Sequence, residues 1–454
     1  MTITHVPRTR ALAASLAGLL VSGCSGGGSG PAAGPSGPTP APGPTKIQHV
    51  IIVFQENRTP DNLFRGLPNA DTTPQSGLNS KGQQVPLQPL NLEVAFDLDH
   101  RFEGFTYEFD GGKLDGFDLE PPSECNRLQC PPGPLRPYSY VPQSQVQPYF
   151  DMAEQYVFAD RMFATNRGPS FAAHQFIISG TALAAPDNEP DVIQDNPENG
   201  DEGPAGGCNS LPDTLVPLMN PVTGAIGPSV FPCFDHPVLM DLLDGKHVSW
   251  KYYQPQSPPA PGLWTLDAIK HIVDGPDLAN ISAPSTNILS DIASDALPAV
   301  SWVIPNDSES DHPEGGDKGP SWVASIVNAV GASPAWNSTA VIITWDDWGG
   351  WYDHVPPFTR NADEVGFRVP LIVVSPYAKP GYVSHVQYEF GSILKFIEEQ
   401  FGLGSLGYTD ATANDLSDCF NFGQTPRPFT QIQSKYSRSS LLHQPRDDRP
   451  IDEY

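Results

Sequence analysis

The sequence predicts an α/β domain with a mostly parallel central sheet, flanking helices and long Pro/Gly-rich loops. Three observations carry this. First, two apolar runs of strand length, 50–54 within the segment that opens at Ile47 and 340–345, both end abruptly in polar groups: Gln55-Glu56-Asn57-Arg58 and Asp346-Asp347-Trp348-Gly349-Gly350. Uninterrupted apolar strands belong to sheets covered on both faces, and oxygen ligands at their ends place a site at the carboxyl edge of a parallel sheet. Second, strand-like stretches at 247–253, 299–304 and 369–374 alternate with helix-like stretches at 237–243, 265–273, 321–330 and 391–401, the pattern of an α/β chain. Third, 51 Pro and 41 Gly concentrate in stretches 66–90, 120–147, 185–235, 253–263 and 403–450. That density fits a sheet core decorated by ordered loops.

Taken in order, the chain opens with a processing signal. Arg8 and Arg10 precede an apolar run, 11–21, that ends in Val21-Ser22-Gly23-Cys24. Small residues just before a Cys resemble a bacterial lipoprotein signal, with cleavage before Cys24 and lipid on its sulfur. Residues 1–23 are thus expected to be removed. Residues 24–45, almost wholly Gly, Pro, Ser, Ala and Thr, form a flexible tether, and 46–454 form a single domain. The expected location is the cell envelope, anchored to the membrane through the N-terminal lipid and facing the periplasm or the exterior.

The formal charge is −27, and loss of a leader holding two Arg and no acid makes it more negative. Such a body has no basic footprint for nucleic acid. After Cys24, five Cys remain. In an oxidising compartment Cys125 with Cys130, and Cys208 with Cys233, are candidate loop-closing disulfides, leaving Cys419 over. None of these spacings resembles a structural zinc site, so any metal is expected on oxygen and nitrogen ligands.

The stretch 342–357 holds the densest chemistry. An isolated Asp-Asp after a strand is usually a solvated acidic turn. Here Trp, Tyr, Gly and His crowd the Asp346-Asp347 pair, and adjacent carboxylates are most easily tolerated beside a cation. Further back, Gly168-Pro169 makes a turn and Ser170 opens a helical pattern over 171–179. Ser170 is a good N-cap, and its oxygen lies at the positive end of the helix dipole, where an anion is favoured.

With these residues assembled, the chain resembles the bacterial phosphoesterase family of phospholipases C and related acid phosphatases. The likeness runs through His49 to Thr59, Asp99-His100, Gly111 to Phe117, Gly168-Pro169-Ser170-Phe171, Ser301 to Pro305, Asp311-His312-Pro313, and Thr344 to Pro357 with Arg368-Val369-Pro370. It implies the alkaline-phosphatase-like fold and a metal-dependent hydrolase with a phosphate ester as substrate. Glu56, Asn57, Asp346 and Asp347 are then expected to hold a divalent cation of unspecified identity, with Ser170 completing the shell as nucleophile. His100 and His312 suit phosphoryl-oxygen binding or proton donation, and His354 is expected to orient the acidic pair. Arg58, Lys113 and His174 lie in or near the matched stretches but outside the expected site.

Two positions depart from the phospholipase C branch, which commonly carries Thr at the nucleophile and Asp-Glu in the last motif. Ser170 and Asp346-Asp347 resemble the acid-phosphatase branch instead. A monoesterase is therefore the first expectation, and a phospholipase C, whose lipid could be admitted by Trp and Phe in loops, the second. An inactive surface-anchored binding protein on the same fold is the alternative from another class.

Overall fold

The computed structural model describes residues 45–121, 130–184, 191–197, 206–256 and 265–445. Cys24, with the signal and tether, and Cys125 lie outside them. Eight strands form the central sheet: β1 (His49–Gln55), β2 (Val157–Ala159), β3 (Trp250–Tyr253), β4 (Ile281–Ser282), β5 (Val300–Val303), β6 (Thr339–Trp345), β7 (Leu371–Val374) and β8 (Tyr382–Ser384). Their spatial order is β4-β3-β5-β1-β6-β7-β2-β8. Only β7 runs against its neighbours β6 and β2; the remaining pairings are parallel. The mostly parallel α/β sheet expected from the sequence is thus what forms, with its two longest strands, β1 and β6, side by side at its centre.

Two helical layers cover this sheet. In β1 and β6, Phe54 is the register partner of Thr344, and Gln55 that of Trp345. Side chains alternate along a strand, so Phe54 and Trp345 point to opposite faces. The Phe54 ring meets His174 of α3 (Ser170–Ser179) and Phe390 of α7 (Phe390–Phe401). The Trp345 ring meets Tyr149 of α2 (Gln147–Gln155), which packs with α6 (Gly319–Gly331). The other helices are α1 (Phe102–Phe109), α4 (Leu239–Gly245) and α5 (Asn287–Ala293), besides one-turn pieces. Burial from both sides explains why Val50–Phe54 are all apolar and fully inaccessible.

Several boundaries differ from expectation. The helix expected over 265–273 is a 3-10 turn, Thr265–Ala268, followed by the short helix Lys270–Val273. Strand 247–253 shortens to its last four residues, because His247 adopts a left-handed φ of 57° in a turn. A Cys208–Cys233 disulfide closes one loop, and Cys419 is free and buried. Every described Trp is buried. The tryptophans of the 345–351 stretch are therefore core residues. No helix among the described residues is long and apolar enough to cross a membrane.

Candidate active site

The parallel register of β1 and β6 builds the site. Gln55 and Trp345 are paired, so the next residues, Glu56 and Asp346, leave the sheet together on the face covered by α3. Glu56 is two positions beyond Phe54 and shares its side of the sheet. Ser170, at the start of α3, donates its Oγ–H into this carboxylate pair, 3.0 Å from Glu56 Oε2 and 2.5 Å from Asp346 Oδ2. One turn on, His174 Nε2 lies 3.4 Å from Glu56 Oε1 and 3.9 Å from Asp346 Oδ2. All four side chains are buried.

Ser170 is not the N-cap its position predicted. Pro169 holds the cap position, and Ser170 is the first helical residue. Its hydroxyl is thus released from helix capping and faces the acids. His174, outside the site expected from the sequence, belongs to it. The signal that could have placed it is its spacing of four from Ser170, which puts both on one helix face.

Asn57 locks the two strand ends together. It adopts a left-handed φ of 61°, its N–H donates to Asp346 Oδ1 at 3.1 Å, and Arg58 N–H donates to the Asp347 carbonyl at 3.0 Å. A non-glycine residue held there is a strained conformation of the kind that clusters at functional sites. The Asn57 amide donates to His100 Nε2 at 3.1 Å, a direction set by His100 Nδ1–H donating to the Leu98 carbonyl at 2.7 Å. Gly349, with φ 60°, passes so close that a Cβ there would lie 2.4 Å from the Asn57 carbonyl oxygen.

The remaining predicted residues fall in two groups. His100 and His312 converge on Asp97: His312 Nε2 is 3.5 Å and His100 Nδ1 4.0 Å from Asp97 Oδ2. His100 is tied to the site through Asn57, and His312 follows the loop whose Ser310 carbonyl accepts the Glu56 N–H at 2.7 Å. Asp347 Oδ1 accepts the Gly349 N–H at 2.7 Å, and this carboxylate stands outside the Glu56–His174–Asp346 group.

His354 is elsewhere. It was expected to orient Asp346 and Asp347, but its Nδ1 lies 2.7 Å from Asp61 Oδ2 and its Nε2 2.9 Å from Asp71 Oδ1. The Gly-Gly turn carries the chain away from the acidic pair before His354 is reached. The group of Asp61, Asp353 and His354 could in composition hold a cation. Arg368 already supplies the positive charge there, donating to Asp353 Oδ1 at 2.8 Å and Asp61 Oδ1 at 3.1 Å.

The chemistry of the donor set at Ser170 does fit a divalent cation. Burial, and then the Glu56 charge, push the Asp346 carboxyl well above its ordinary value. Two acids buried against one another call for a positive partner. Asn57 Oδ1 is buried without a hydrogen bond, an oxygen available to such an ion. Glu56, His174 and Asp346 each offer an atom within 4.8 Å of the others.

A mostly parallel sheet with a buried serine, two acids and an imidazole gathered at its carboxyl edge is the arrangement of a site in an open α/β enzyme. Residues 47–404 carry the signature of the Phosphoesterase family, and the chain belongs to that family. It is a hydrolase of phosphoric esters. Phospholipase C B of Mycobacterium tuberculosis is 25% identical, across 91% of this chain and 83% of that protein. The non-hemolytic phospholipase C of Pseudomonas aeruginosa is 22% identical across 87% of this chain, which spans 60% of that longer protein. Among solved structures, a protein in the alkaline phosphatase superfamily from Vibrio parahaemolyticus overlaps 82% of this chain and 72% of its own, at 10% identity and a TM-score of 0.38. That overlap is partial.

Proposed function

We propose that this hydrolase is metal-dependent and attacks its substrate with Ser170, forming a phosphoseryl intermediate. The observation carrying this reading is the Ser170 hydroxyl donating to both Glu56 and Asp346 at the start of a ten-residue helix. In the first step Oγ bonds to phosphorus, its proton passes to the carboxylate pair, and the bond to the leaving alkoxide breaks. The helix N-terminus favours the developing negative charge. A bound divalent cation would supply positive charge to the nucleophile and the phosphoryl oxygens. Glu56, Asp346 and Asn57 would hold it, with Asp347 nearby. His100 and His312, which converge on Asp97, would bind phosphoryl oxygens and protonate the leaving oxygen. Water then attacks phosphorus, the Oγ–phosphorus bond breaks, and a proton returns to Ser170.

A phosphomonoester is the first choice of substrate, supported by Ser at the nucleophile, by Asp-Asp in the last motif and by the burial of the tryptophans among the described residues. A phospholipid is the second, supported by the relatives named phospholipase C. Purified protein assayed on p-nitrophenyl phosphate and on phosphatidylcholine, each with and without chelator, separates them. Chelator-sensitive turnover of the first substrate alone supports the monoesterase, and head-group release from the second replaces it. Activity unaffected by exhaustive chelation overturns the metal-dependent reading. The Val21–Cys24 pattern further supports an exported enzyme lipidated on Cys24.

A further inference from the structure

The ligands named from the sequence, Glu56, Asn57, Asp346, Asp347 and Ser170, all offer oxygen. The structure adds one nitrogen. His174 projects from the same helix face as Ser170, and its Nε2 faces Glu56 and Asp346 at 3.4 and 3.9 Å. The three ligand atoms fall within 4.8 Å of one another, a span across which one cation could reach each at about 2.0–2.6 Å. The ring is 2% exposed and packs against Phe54 at 5.9 Å between ring centres, so the strand that positions Glu56 also fixes the imidazole.

We propose that His174 is a ligand of the cation and sets its class, a first-row transition ion such as zinc, manganese or cobalt in preference to magnesium or calcium. This rests on the metal-dependent reading above. Magnesium and calcium are hard cations that take all-oxygen shells, whereas imidazole beside carboxylate is a donor set for transition ions. Without His174 the described site reduces to Glu56, Asp346, Asn57 and Ser170, an oxygen set that gives magnesium no handicap. The competing role for His174 is a fixed imidazolium, balancing the two acids without touching the ion.

The test uses mature protein stripped by chelator and reloaded with one metal at a time. Calorimetric titration with zinc, cobalt, magnesium and calcium should show wild type binding the transition ions far more tightly. His174→Ala should lose on the order of tenfold or more of its zinc and cobalt affinity while magnesium and calcium change little, narrowing the preference. The visible spectrum of the cobalt-loaded protein should change in the same variant. Should His174→Ala fail to fold, spin-echo spectroscopy of copper-loaded wild type reads the imidazole nitrogen directly, and its coupling is expected. Metal binding with an unaltered preference and spectrum in His174→Ala, or no nitrogen coupling in wild type, overturns the role of His174 alone. Absence of binding by every metal overturns the metal-dependent reading and this inference with it.

Discussion

Glu56 and Asp346 lie side by side because Gln55 and Trp345, the residues before them, are register partners in adjacent parallel strands. A one-residue slip would turn either acid to the opposite face. The arrangement holds two buried carboxylates against one another, and Asp346 is already pushed up by burial and by Glu56. Glu56→Gln should therefore abolish most turnover yet leave the chelated protein at least as thermally stable as chelated wild type, because one of two like charges is gone. With metal added, wild type should gain more in melting temperature than the variant does. Scanning calorimetry with and without chelator checks both signs. A variant that melts well below wild type in chelator would show that Glu56 stabilises the fold without a cation.

Gly349 tests how closely the Gly-Gly turn must pass Asn57. With φ at 60°, and with a Cβ at this position falling 2.4 Å from the Asn57 carbonyl oxygen, there is no room for a side chain. Gly349→Ala should cost about 1–2 kcal/mol from the left-handed backbone, with a further penalty from the clash. Displacing Asn57 also moves its contacts to Asp346 and His100, so turnover should fall more than stability does. Equal activity per folded molecule would separate the turn from the site.

The sequence made β1, β6 and the acids at their ends legible because doubly buried strands are continuous apolar runs with sharp ends. Antiparallel β7 is legible as a strand but not in direction, which depends on the connection 346–370 starting and ending at the same end of the sheet. Short strands such as β2 and β8, three residues each, are held by neighbours and carry no period of their own. Ser170 stood out for its place at a helix start, although its hydroxyl serves the acids and caps nothing. His354 is near Asp346 and Asp347 in sequence but not in space, because two glycines with φ of 60° and 67° turn the chain away. His174 is hard to see from motifs taken one at a time, because its membership depends on a helix lying over β1.

For Ser170, helix capping and nucleophilic attack forecast different results. A capping serine replaced by Ala costs about 0.5–2 kcal/mol. Ser170 caps nothing, so Ser170→Ala should change stability by less than that and lower the rate by several orders of magnitude. Ser170→Thr keeps the hydroxyl and should retain measurable activity, reduced by the extra methyl in a buried site. Acid quench during turnover should trap phosphate on Ser170 and on no other residue. Near wild-type turnover by Ser170→Ala would exclude the covalent route.

His354 gives the chain a titrating latch between three segments. Burial alone would lower its pKa, but the Asp61 hydrogen bond and charge, joined by Asp353, outweigh that and raise it from 6.5 to about 8. Asp71 closes the other ring nitrogen at 2.9 Å, and Arg368, paired with Asp353 and Asp61, opposes the rise. Because the folded value lies above the unfolded one, the added stability is fully present below pH 6.5 and is lost as pH climbs through about 8. The ring is 26% exposed, so solvent and salt screen the effect and it should be modest. His354→Asn removes the titrating group while keeping a hydrogen-bonding side chain. Melting curves between pH 6 and 9 should show the wild-type advantage over His354→Asn shrinking across 6.5 to 8, and shrinking less in high salt. Ser170-dependent turnover per folded molecule should stay within a fewfold of wild type at pH 7, because His354 touches neither Glu56 nor Asp346. A pH-independent difference in melting temperature would mean that the imidazole keeps one charge state across this range and is no latch.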